Sequence, residues 1–329
     1  MPKILRLSKR KKDSTNKRTL VVSILFFSGL LSYGQKNQVC FTIDDLPVVG
    51  LSSRSNESQR TVVKKLLLAL KKHKIPAIGF VNEFKLYTAG QQDTFKINLL
   101  KMWLDSGMNL GNHSFSHMDY HHVNCTEYFN DIIKGEKLTK PLMNSYGKSC
   151  RYFRHPYLHI GESREKADSL HAFLINTGYT EAPVTIDNAD WIFSLAYDSA
   201  RLKGDMALLK SIGTTYIDYM QKKLKYYKTQ SIKLFGRNIR HILLIHSNAI
   251  NADYLDELAV MYEKNNYEFI SLEKALEDKA YLTKVTLYRN WGISWLDRWA
   301  LSIGKKGKYF DDEPATPGYI MKLAKTTRE

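Results

Sequence analysis

The strongest constraint on the fold is a regular alternation of short apolar runs with amphipathic helical patterns between residues 38 and 275. The apolar runs VCFTI at 39–43, AIGFV at 77–81 and HILLI at 241–245 are typical of buried strands. Helical periodicity separates them, as at 58–73. This alternation predicts a parallel sheet, in either a barrel or a doubly wound arrangement.

The residues that directly follow the predicted strands carry chemically active side chains. They are an acidic pair, a histidine pair, an arginine and a single histidine: Asp44, Asp45, His113, His117, Arg154 and His246. In parallel α/β folds the carboxyl ends of the strands face one crevice, where ligands bind and reactions occur. We therefore expect these groups to converge although they are distant in sequence.

His113 and His117 have the spacing of two ligands that can converge on one zinc ion where the chain curls like a helical turn. A catalytic zinc site takes three protein ligands from nitrogen and oxygen donors and leaves a position for water. One carboxylate of the Asp44–Asp45 pair would supply the third ligand, and the other could accept a proton from that water. The sequence thus predicts a metal site, and Co²⁺, Ni²⁺ and Mn²⁺ also fit these ligand types.

Five short motifs, in this order along the chain, resemble those of the polysaccharide deacetylase family, also called NodB-homology or carbohydrate esterase family 4 proteins. The motifs are TIDD at 42–45, HSFSH at 113–117, RHPY at 154–157, DNADW at 187–191 and LIH at 244–246. The resemblance covers roughly residues 38–275 and implies an α/β fold, a distorted (β/α)7 barrel. To this the sequence adds a helical insertion at 192–240, before the last motif, and an aromatic-rich C-terminal extension.

Within this resemblance, the first three motifs imply the metal centre and the base. Asp45, His113 and His117 would bind Zn²⁺. Asp44 would act as the catalytic base, and Arg154 would keep it ionised and oriented.

The remaining groups are also implied by the resemblance. The backbone N–H of Tyr157 would help to stabilise the oxyanion. His246 would act as the general acid, oriented by Asp190. Trp191 and Leu244 would form the apolar pocket for the acetyl methyl group.

These roles describe a zinc-dependent hydrolase that removes acetyl groups from a polysaccharide or oligosaccharide, by attack of a water that the metal activates. N-deacetylation of N-acetylated amino sugars, in peptidoglycan or a chitin-like glycan, is the first hypothesis. O-deacetylation of the acetylxylan esterase type uses the same groups and is the alternative within this class. A non-catalytic glycan-binding protein on the same fold and a basic, envelope-anchored structural protein are the hypotheses from other classes.

The chain departs from the family pattern in two loops. Leu46 and Pro47 follow the aspartate pair, where the family usually has glycine. His155 and Leu158 replace a frequent proline and a frequent glycine around the third motif. These departures bear on the size and shape of the substrate more than on the chemistry.

Residues 1–34 have the features of a secretory signal peptide. Eight Lys or Arg and one Asp precede an apolar run, Leu20–Leu31, and small residues at 32 and 34 precede a cleavage point before Gln35. The alternative is an uncleaved anchor.

Cleavage of this segment predicts an exported protein, in the periplasm, the cell envelope or outside the cell, with no stable membrane anchor. It also lowers the formal net charge from +16 to +9, since 8 − 1 = 7 positive charges are removed, and we expect no nucleic-acid partner.

The rest of the chain divides into a predicted catalytic domain at 35–280 and a C-terminal helical extension at 281–329. In the extension, Trp291, Trp295 and Trp299 recur every four residues. This spacing favours an amphipathic helix packed on the domain, and the alternative is an aromatic wall beside a glycan cleft.

Five further polar residues near the motifs have two interpretations each. His121 and His122 fit exposed loop positions or contacts around the site. His155 and His159 fit loop packing or the lining of the cleft. Asp187 fits a loop cap better than a role beside Asp190.

Overall fold

The computed structural model describes residues 36–329, so the predicted signal peptide at 1–34 lies outside the described residues. The strands are β1 (Asn37–Leu46), β2 (Ile78–Val81), β3 (Tyr87–Thr88), β4 (Gln91–Gln92), β5 (Asn109–Asn112), β6 (Tyr152–Phe153), β7 (Thr180–Glu181), β8 (His241–His246) and β9 (Tyr267–Phe269). The α-helices are α1 (Asn56–Lys72), α2 (Thr94–Asp105), α3 (Cys125–Lys134), α4 (Thr139–Ser145), α5 (Arg164–Asn176), α6 (Asp190–Lys203), α7 (Met206–Phe235), α8 (Ala249–Lys264), α9 (Leu272–Leu276), α10 (Trp295–Ser302) and α11 (Gly318–Ala324). Among the helices of the described part, none has the length and apolar character needed to cross a membrane.

Seven of the strands form one sheet in which all pairs are parallel. The order across the sheet is β7-β6-β5-β2-β1-β8, and β9 pairs with the first residues of β1. The chain after β7 then closes the ring, because Ile186 bridges Leu243 in β8 and its carbonyl accepts a hydrogen bond from Leu244 N at 3.3 Å. This uneven ring of parallel strands confirms the predicted distorted (β/α)7 barrel.

Strand β1 lies between β2 and β8 and sets the geometry of the site. Its residues Val39–Ile43 are apolar or β-branched and all buried, as expected for a strand inside a parallel sheet. The register pairs Asp44 of β1 with His246 of β8. The acidic pair and the last histidine therefore lie at the same end of the barrel.

Helix α1 shows why the predicted helical segments form. The Ser55 side chain accepts a hydrogen bond from the first turn, and Lys71 and Lys72 occupy the last turn, where cations are favoured. The apolar spacing predicts the buried face, which includes Val62 and Leu66. Local sequence and packing against the sheet agree in this element.

Two helical patterns that read as continuous are each divided in the structure. The pattern over 126–143 predicts one helix, but α3 ends before Gly135 and α4 begins at Thr139. The pattern over 198–228 belongs to α6 and α7, which are separated at Gly204, with φ of 67° in the left-handed region. Together α6 and α7 form the helical insertion predicted before the last motif.

The C-terminal extension packs on α6 and α7, but only part of it is helical. The prediction that all three tryptophans share one helix is wrong, because α10 begins at Trp295 and Trp291 lies in the irregular segment before it. Trp299 is 1% exposed, and its ring packs edge-on against Phe235 at 5.6 Å and Tyr281 at 5.8 Å between centroids. For Trp299 this geometry supports the first interpretation, packing on the domain, and not an aromatic wall beside a glycan cleft.

We expect Trp299→Ala to lower the free energy of unfolding by about 3–5 kcal/mol, because it removes a buried indole and leaves a cavity. Denaturant unfolding measures the loss. Trp291→Ala, a change to a partly exposed indole outside α10, is the matched control and should cost roughly 1 kcal/mol or less. Equal losses in the two variants would contradict the core position of Trp299.

Candidate metal centre and active site

The structure brings the predicted strand-end residues together at one end of the barrel. Asp44 Oδ2 lies 3.5 Å from Arg154 Nη1 and 3.9 Å from His113 Nε2. Asp45 Oδ1 lies 3.7 Å from His117 Nε2. Together with His246, which the register places opposite Asp44, these residues come from four separate segments, and the parallel sheet places all of them at the same edge.

Three of these side chains have the arrangement of metal ligands. One donor atom from each of Asp45, His113 and His117 lies within 4.8 Å of the other two. Asp45 Oδ1 is buried and has no hydrogen-bond partner among the residues that the structure describes. A buried carboxylate oxygen without a hydrogen bond is costly unless a cation satisfies it, and the Lys85 ammonium, 3.4 Å away, does so only in part. These residues therefore fit a divalent metal.

The hydrogen bond of His113 determines which of its nitrogens is available as a ligand. Its Nδ1 is 2.8 Å from the backbone carbonyl of Arg154. Because a carbonyl only accepts, Nδ1 carries the proton and Nε2 keeps its lone pair. Burial lowers the pKa of His113 well below its ordinary value, and the neighbouring His117 acts in the same direction. The ring is thus neutral and oriented as a metal ligand requires.

Two of the three candidate ligands have left-handed backbone conformations. Asp45 has φ of 69° and His117 has φ of 58°. Residues with a Cβ adopt this region at a cost, and such positions concentrate at functional sites. In the turn at Asp45, the adjacent carboxylates acquire different partners: Asp44 contacts Arg154, and Asp45 contacts the histidines.

Asp44 has the properties of a proton acceptor. Arg154 Nη1 donates to its Oδ2 at 3.5 Å, and Nη2 donates to Thr42 Oγ1 at 2.9 Å. Asp44 Oδ1 is buried without a partner in the described part of the chain. Burial raises the pKa of Asp44 to about 6, although Arg154 acts against this rise. At neutral pH the carboxyl is mainly ionised, and one oxygen is open to a proton.

The surroundings of His246 favour its protonated form, whereas Asp44 is mainly ionised at neutral pH. Its Nδ1 donates to Asp190 Oδ1 at 2.7 Å, and its backbone N–H donates to Asp190 Oδ2 at 2.8 Å. Burial alone would lower the pKa of His246, but the charge and hydrogen bond of Asp190 outweigh it and raise the pKa to about 9. The imidazole is therefore protonated at neutral pH.

Two asparagines that no sequence motif marks hold Asp190 itself. Asn251 Nδ2 donates to its Oδ2 at 2.6 Å, and Asn248 Nδ2 donates to the same oxygen at 3.2 Å. Both asparagines lie in the segment that follows His246 directly. Their closeness to the last motif is the signal that points to them.

Lys85, after Asn248 and Asn251, is a third residue of the site that no sequence motif marks. Its Nζ lies 3.4 Å from Asp45 Oδ1 and donates to the Asp45 carbonyl at 3.0 Å. Burial pushes the pKa of Asp45 upward, but the neighbouring positive charge, with Lys85 as its largest source, holds the pKa below its ordinary value. Lys85 lies in the turn just after β2, and this place directly after a strand is the signal in the sequence that points to it.

The other predicted site residues lie around this centre. The Tyr157 ring contacts the His117 ring edge-on at 4.5 Å and is 54% exposed. Leu244 is nearly buried in β8, two residues before His246, and Trp191 is half exposed at the start of α6. The apolar pocket that Trp191 and Leu244 would form together stays a prediction.

A second group of ligand-type side chains consists of Asp119, His121 and His159. The two imidazole rings are stacked, with centroids 3.7 Å apart and an angle of 11° between planes. Their in-plane lone pairs run side by side and do not converge on one point. His159 Nδ1 instead donates to Asp119 Oδ1 at 2.6 Å, and the exposed His122 contacts Asp119 Oδ2 at 2.9 Å. This geometry favours loop packing for His159. The exposed loop position expected for His121 is wrong, because its side chain is buried in the stack, whereas His122 is exposed as expected.

The side chains of His155 and Asp187 contact neighbouring protein groups. His155 is buried, and its Nε2 lies 2.9 Å from Glu181 Oε1, which favours loop packing over the lining of the cleft. Asp187 Oδ1 accepts a hydrogen bond from Asn188 N at 2.8 Å, as in a loop cap. Burial raises the pKa of Asp187 to about 6.

Fold and site together define a class, an α/β barrel with an Asp–His–His group suited to a metal beside a second, buried carboxylate. A family model described as polysaccharide deacetylase matches residues 32–173, a range that contains the first three motifs. Over residues 32–173 the chain thus matches the family that its motifs resemble, and the predicted resemblance is confirmed.

Known proteins are similar to this chain at low identity. A peptidoglycan-N-acetylglucosamine deacetylase from Bacillus cereus is 28% identical over 156 residues, 47% of this chain and 47% of that protein. The matched region thus spans about half the length of this curated relative. The peptidoglycan deacetylase PdaC from Bacillus subtilis has a TM-score of 0.48 at 18% identity, covering 75% of this chain and 94% of that one. A CE4 family pseudoenzyme from Bacillus anthracis has a TM-score of 0.48 at 18% identity, covering 74% and 66%.

Proposed function

We propose that this chain is a metal-dependent hydrolase that removes acetyl groups from the N-acetylated amino sugars of a polysaccharide, such as peptidoglycan or a chitin-like glycan. One observation supports it most directly. Asp44, an ionised base, and His246, a protonated acid, are paired in the register of β1 and β8 beside three converging ligands. The similarity to a peptidoglycan-N-acetylglucosamine deacetylase favours an amide over an ester as the substrate.

Asp45, His113 and His117 would hold the metal, and their donor set suits Zn²⁺, with other divalent metals as alternatives. A metal there would polarise the acetyl carbonyl and increase the acidity of water. Asp44 takes a proton from the attacking water through Oδ1, because Arg154 already engages Oδ2.

His246 gives a proton to the leaving nitrogen. Its Nδ1–H is committed to Asp190, so the proton on Nε2 is the one available for transfer. An amine leaves only after protonation, because its anion is too basic to depart. The Tyr157 backbone N–H would stabilise the oxyanion, and Trp191 and Leu244 would receive the acetyl methyl group.

We expect Asp190→Asn to move the alkaline limit of activity to lower pH. Without the Asp190 charge, burial dominates, and the pKa of His246 falls from about 9 toward or below its ordinary 6.5. The proton donor is then lost at lower pH, so the profile of kcat/KM falls off earlier on its alkaline side. An NMR titration of His246 in the metal-free chain checks the shift directly, and an unchanged titration would contradict the role of Asp190.

We also propose that the protein acts outside the cytoplasm. The support is the signal-like composition of residues 1–34 and the location of the proposed substrate in the cell envelope. N-terminal sequencing of the protein recovered from expressing cells tests this. A chain that still begins at Met1 would contradict cleavage.

Acetate release by the purified, metal-loaded chain tests the proposed function. The substrates are N-acetylglucosamine oligomers, peptidoglycan and acetylated xylan, assayed in parallel. Release from either of the first two is the expected result. Release from xylan alone would replace N-deacetylation with O-deacetylation. Glycan binding without release, at one metal per chain, would replace the hydrolase with a glycan-binding protein.

A further inference from the structure

We propose that the segment Asn290–Arg298 positions the loop His155–His159 for the reaction, and that Arg298 is its main positioning residue. We call the segment the C-terminal clamp and the loop the Tyr157 loop. The clamp lies beyond the range that the family model matches, 32–173. The proposal rests on the proposed function, because it assigns the clamp a role in the same site.

Arg298 joins the clamp to the Tyr157 loop. Its Nη2 donates to the Leu158 carbonyl at 2.8 Å and to the Trp291 carbonyl at 2.7 Å. Arg298 is 1% exposed, so these charged hydrogen bonds are shielded from water. A single guanidinium nitrogen thus fixes the residue after Tyr157 against the irregular segment before α10.

The remaining nitrogens of Arg298 show what the arginine contributes. Its Nε and Nη1 are buried and lack hydrogen-bond partners in the described part of the chain. An apolar side chain of similar volume would fill this space at a lower cost of burial. The two bonds of Nη2 are therefore the feature that requires an arginine here.

Gly292 provides a second, independent contact between the clamp and the loop. A Cβ built at Gly292 would overlap the Tyr157 carbonyl oxygen and would lie 3.3 Å from the His159 ring. The backbone of the clamp thus approaches the backbone of the loop as closely as only glycine allows. Any side chain at this position displaces the loop.

The Tyr157 loop needs such support because its backbone is strained. Tyr157 has φ of 56° and Leu158 has φ of 55°, two consecutive residues with side chains in the left-handed region. Conformations of this kind persist only where surrounding contacts hold them. The clamp supplies these contacts at two backbone carbonyls of the loop, those of Tyr157 and Leu158.

The clamp is also anchored to the barrel and to the segment that carries the metal ligands. Trp295 N donates to the Val184 carbonyl at 2.7 Å. His121 lies four residues after the proposed ligand His117, and its Nδ1 is 2.7 Å from Asn290 Oδ1. The clamp therefore relates the Tyr157 loop to the metal centre through fixed contacts, and its loss would move the Tyr157 N–H relative to the ligands.

Three variants and two matched controls test the proposal in the full chain. The variants are Arg298→Met, Arg298→Lys and Gly292→Ala. The controls are Arg328→Met, at an exposed arginine outside the clamp, and Gly318→Ala, where an added Cβ meets no atom within 4 Å. The readouts are kcat and KM for acetate release, thermal unfolding, and hydrogen–deuterium exchange of peptides covering 154–160.

We expect Arg298→Met and Gly292→Ala to lower kcat on the order of 100-fold, with KM changed less than about threefold, because misplacement of an oxyanion donor affects the transition state. Exchange at 154–160 becomes faster in both variants. Arg298→Lys keeps a charged donor and recovers part of kcat. Both controls behave like the unmodified chain.

Unchanged exchange and unchanged kcat in folded Arg298→Met and Gly292→Ala would overturn the proposal, and so would a lower unfolding temperature with normal kcat. If Arg298→Met does not fold, Gly292→Ala decides. If the unmodified chain releases no acetate from any glycan, the proposed function fails, whereas the exchange experiment still decides whether the clamp holds the loop.

Discussion

Asp44→Asn should lower kcat for acetate release by about 1,000-fold while the chain still binds its metal. The amide cannot accept a proton, and removal of a general base costs about 10²–10⁴-fold. The change preserves size, so Arg154 keeps a partner oxygen and the barrel keeps its packing. Acetate release at saturating substrate and metal content per chain measure the two effects separately.

Asp198→Asn is a suitable control for this experiment. Asp198 is another mostly buried aspartate whose pKa is raised by burial, but it accepts a hydrogen bond from Leu51 N and has no proposed part in proton transfer. Full activity in Asp44→Asn would remove Asp44 as the base. Loss of metal together with activity would instead identify Asp44 as a metal ligand. Metal content is measured for this reason, because Asp44 Oδ2 lies only 3.9 Å from His113 Nε2.

The convergence of the site was predictable from the sequence because it depends on topology. Once apolar runs are known to be parallel strands, their carboxyl ends must share one edge, whatever the crossing helices do. The register of β1 and β8 then brings Asp44 opposite His246. No side-chain detail is needed for that step.

The boundaries of several elements could not be predicted from periodicity. Strands β6 and β7 have two residues each, too few for a pattern. The break at Gly204 falls inside a stretch whose apolar residues keep helical spacing on both sides. The helical pattern alone therefore predicts one continuous helix there. Trp291 has helical spacing to Trp295, but its segment is held in irregular form by Arg298 and by contact with the Tyr157 loop.

The contacts that hold the candidate site residues could not be predicted from the sequence, for a physical reason. Arg298 reaches the Leu158 carbonyl across 140 positions of sequence. A backbone carbonyl carries no residue-type signal, so no motif marks such a partner. The same holds for His113, whose orientation depends on the Arg154 carbonyl. The ligands were therefore recognisable, whereas their support became visible only in three dimensions.

Removal of the metal by a chelator should abolish acetate release, and re-addition of Zn²⁺ should restore it in the unmodified chain but not in His113→Ala. The variant loses a neutral, pre-oriented nitrogen ligand, which leaves two of the three protein ligands. Metal per chain after dialysis and recovery of activity on titration with Zn²⁺ measure the loss. We expect the affinity of His113→Ala for Zn²⁺ to fall by at least about 100-fold.

Thermal unfolding gives a readout of the same ligand that does not depend on turnover. A metal that binds only the folded chain stabilises it by about 4 kcal/mol at a concentration 1,000-fold above its dissociation constant, so Zn²⁺ should raise the unfolding temperature of the unmodified chain but not that of His113→Ala. His121→Ala is the matched control for metal content, because His121 belongs to the stacked pair whose lone pairs do not converge. It should retain one metal per chain. Two metals per unmodified chain, with one lost in His121→Ala, would show that the stack opens to form a second site and would contradict the loop-packing interpretation of that pair.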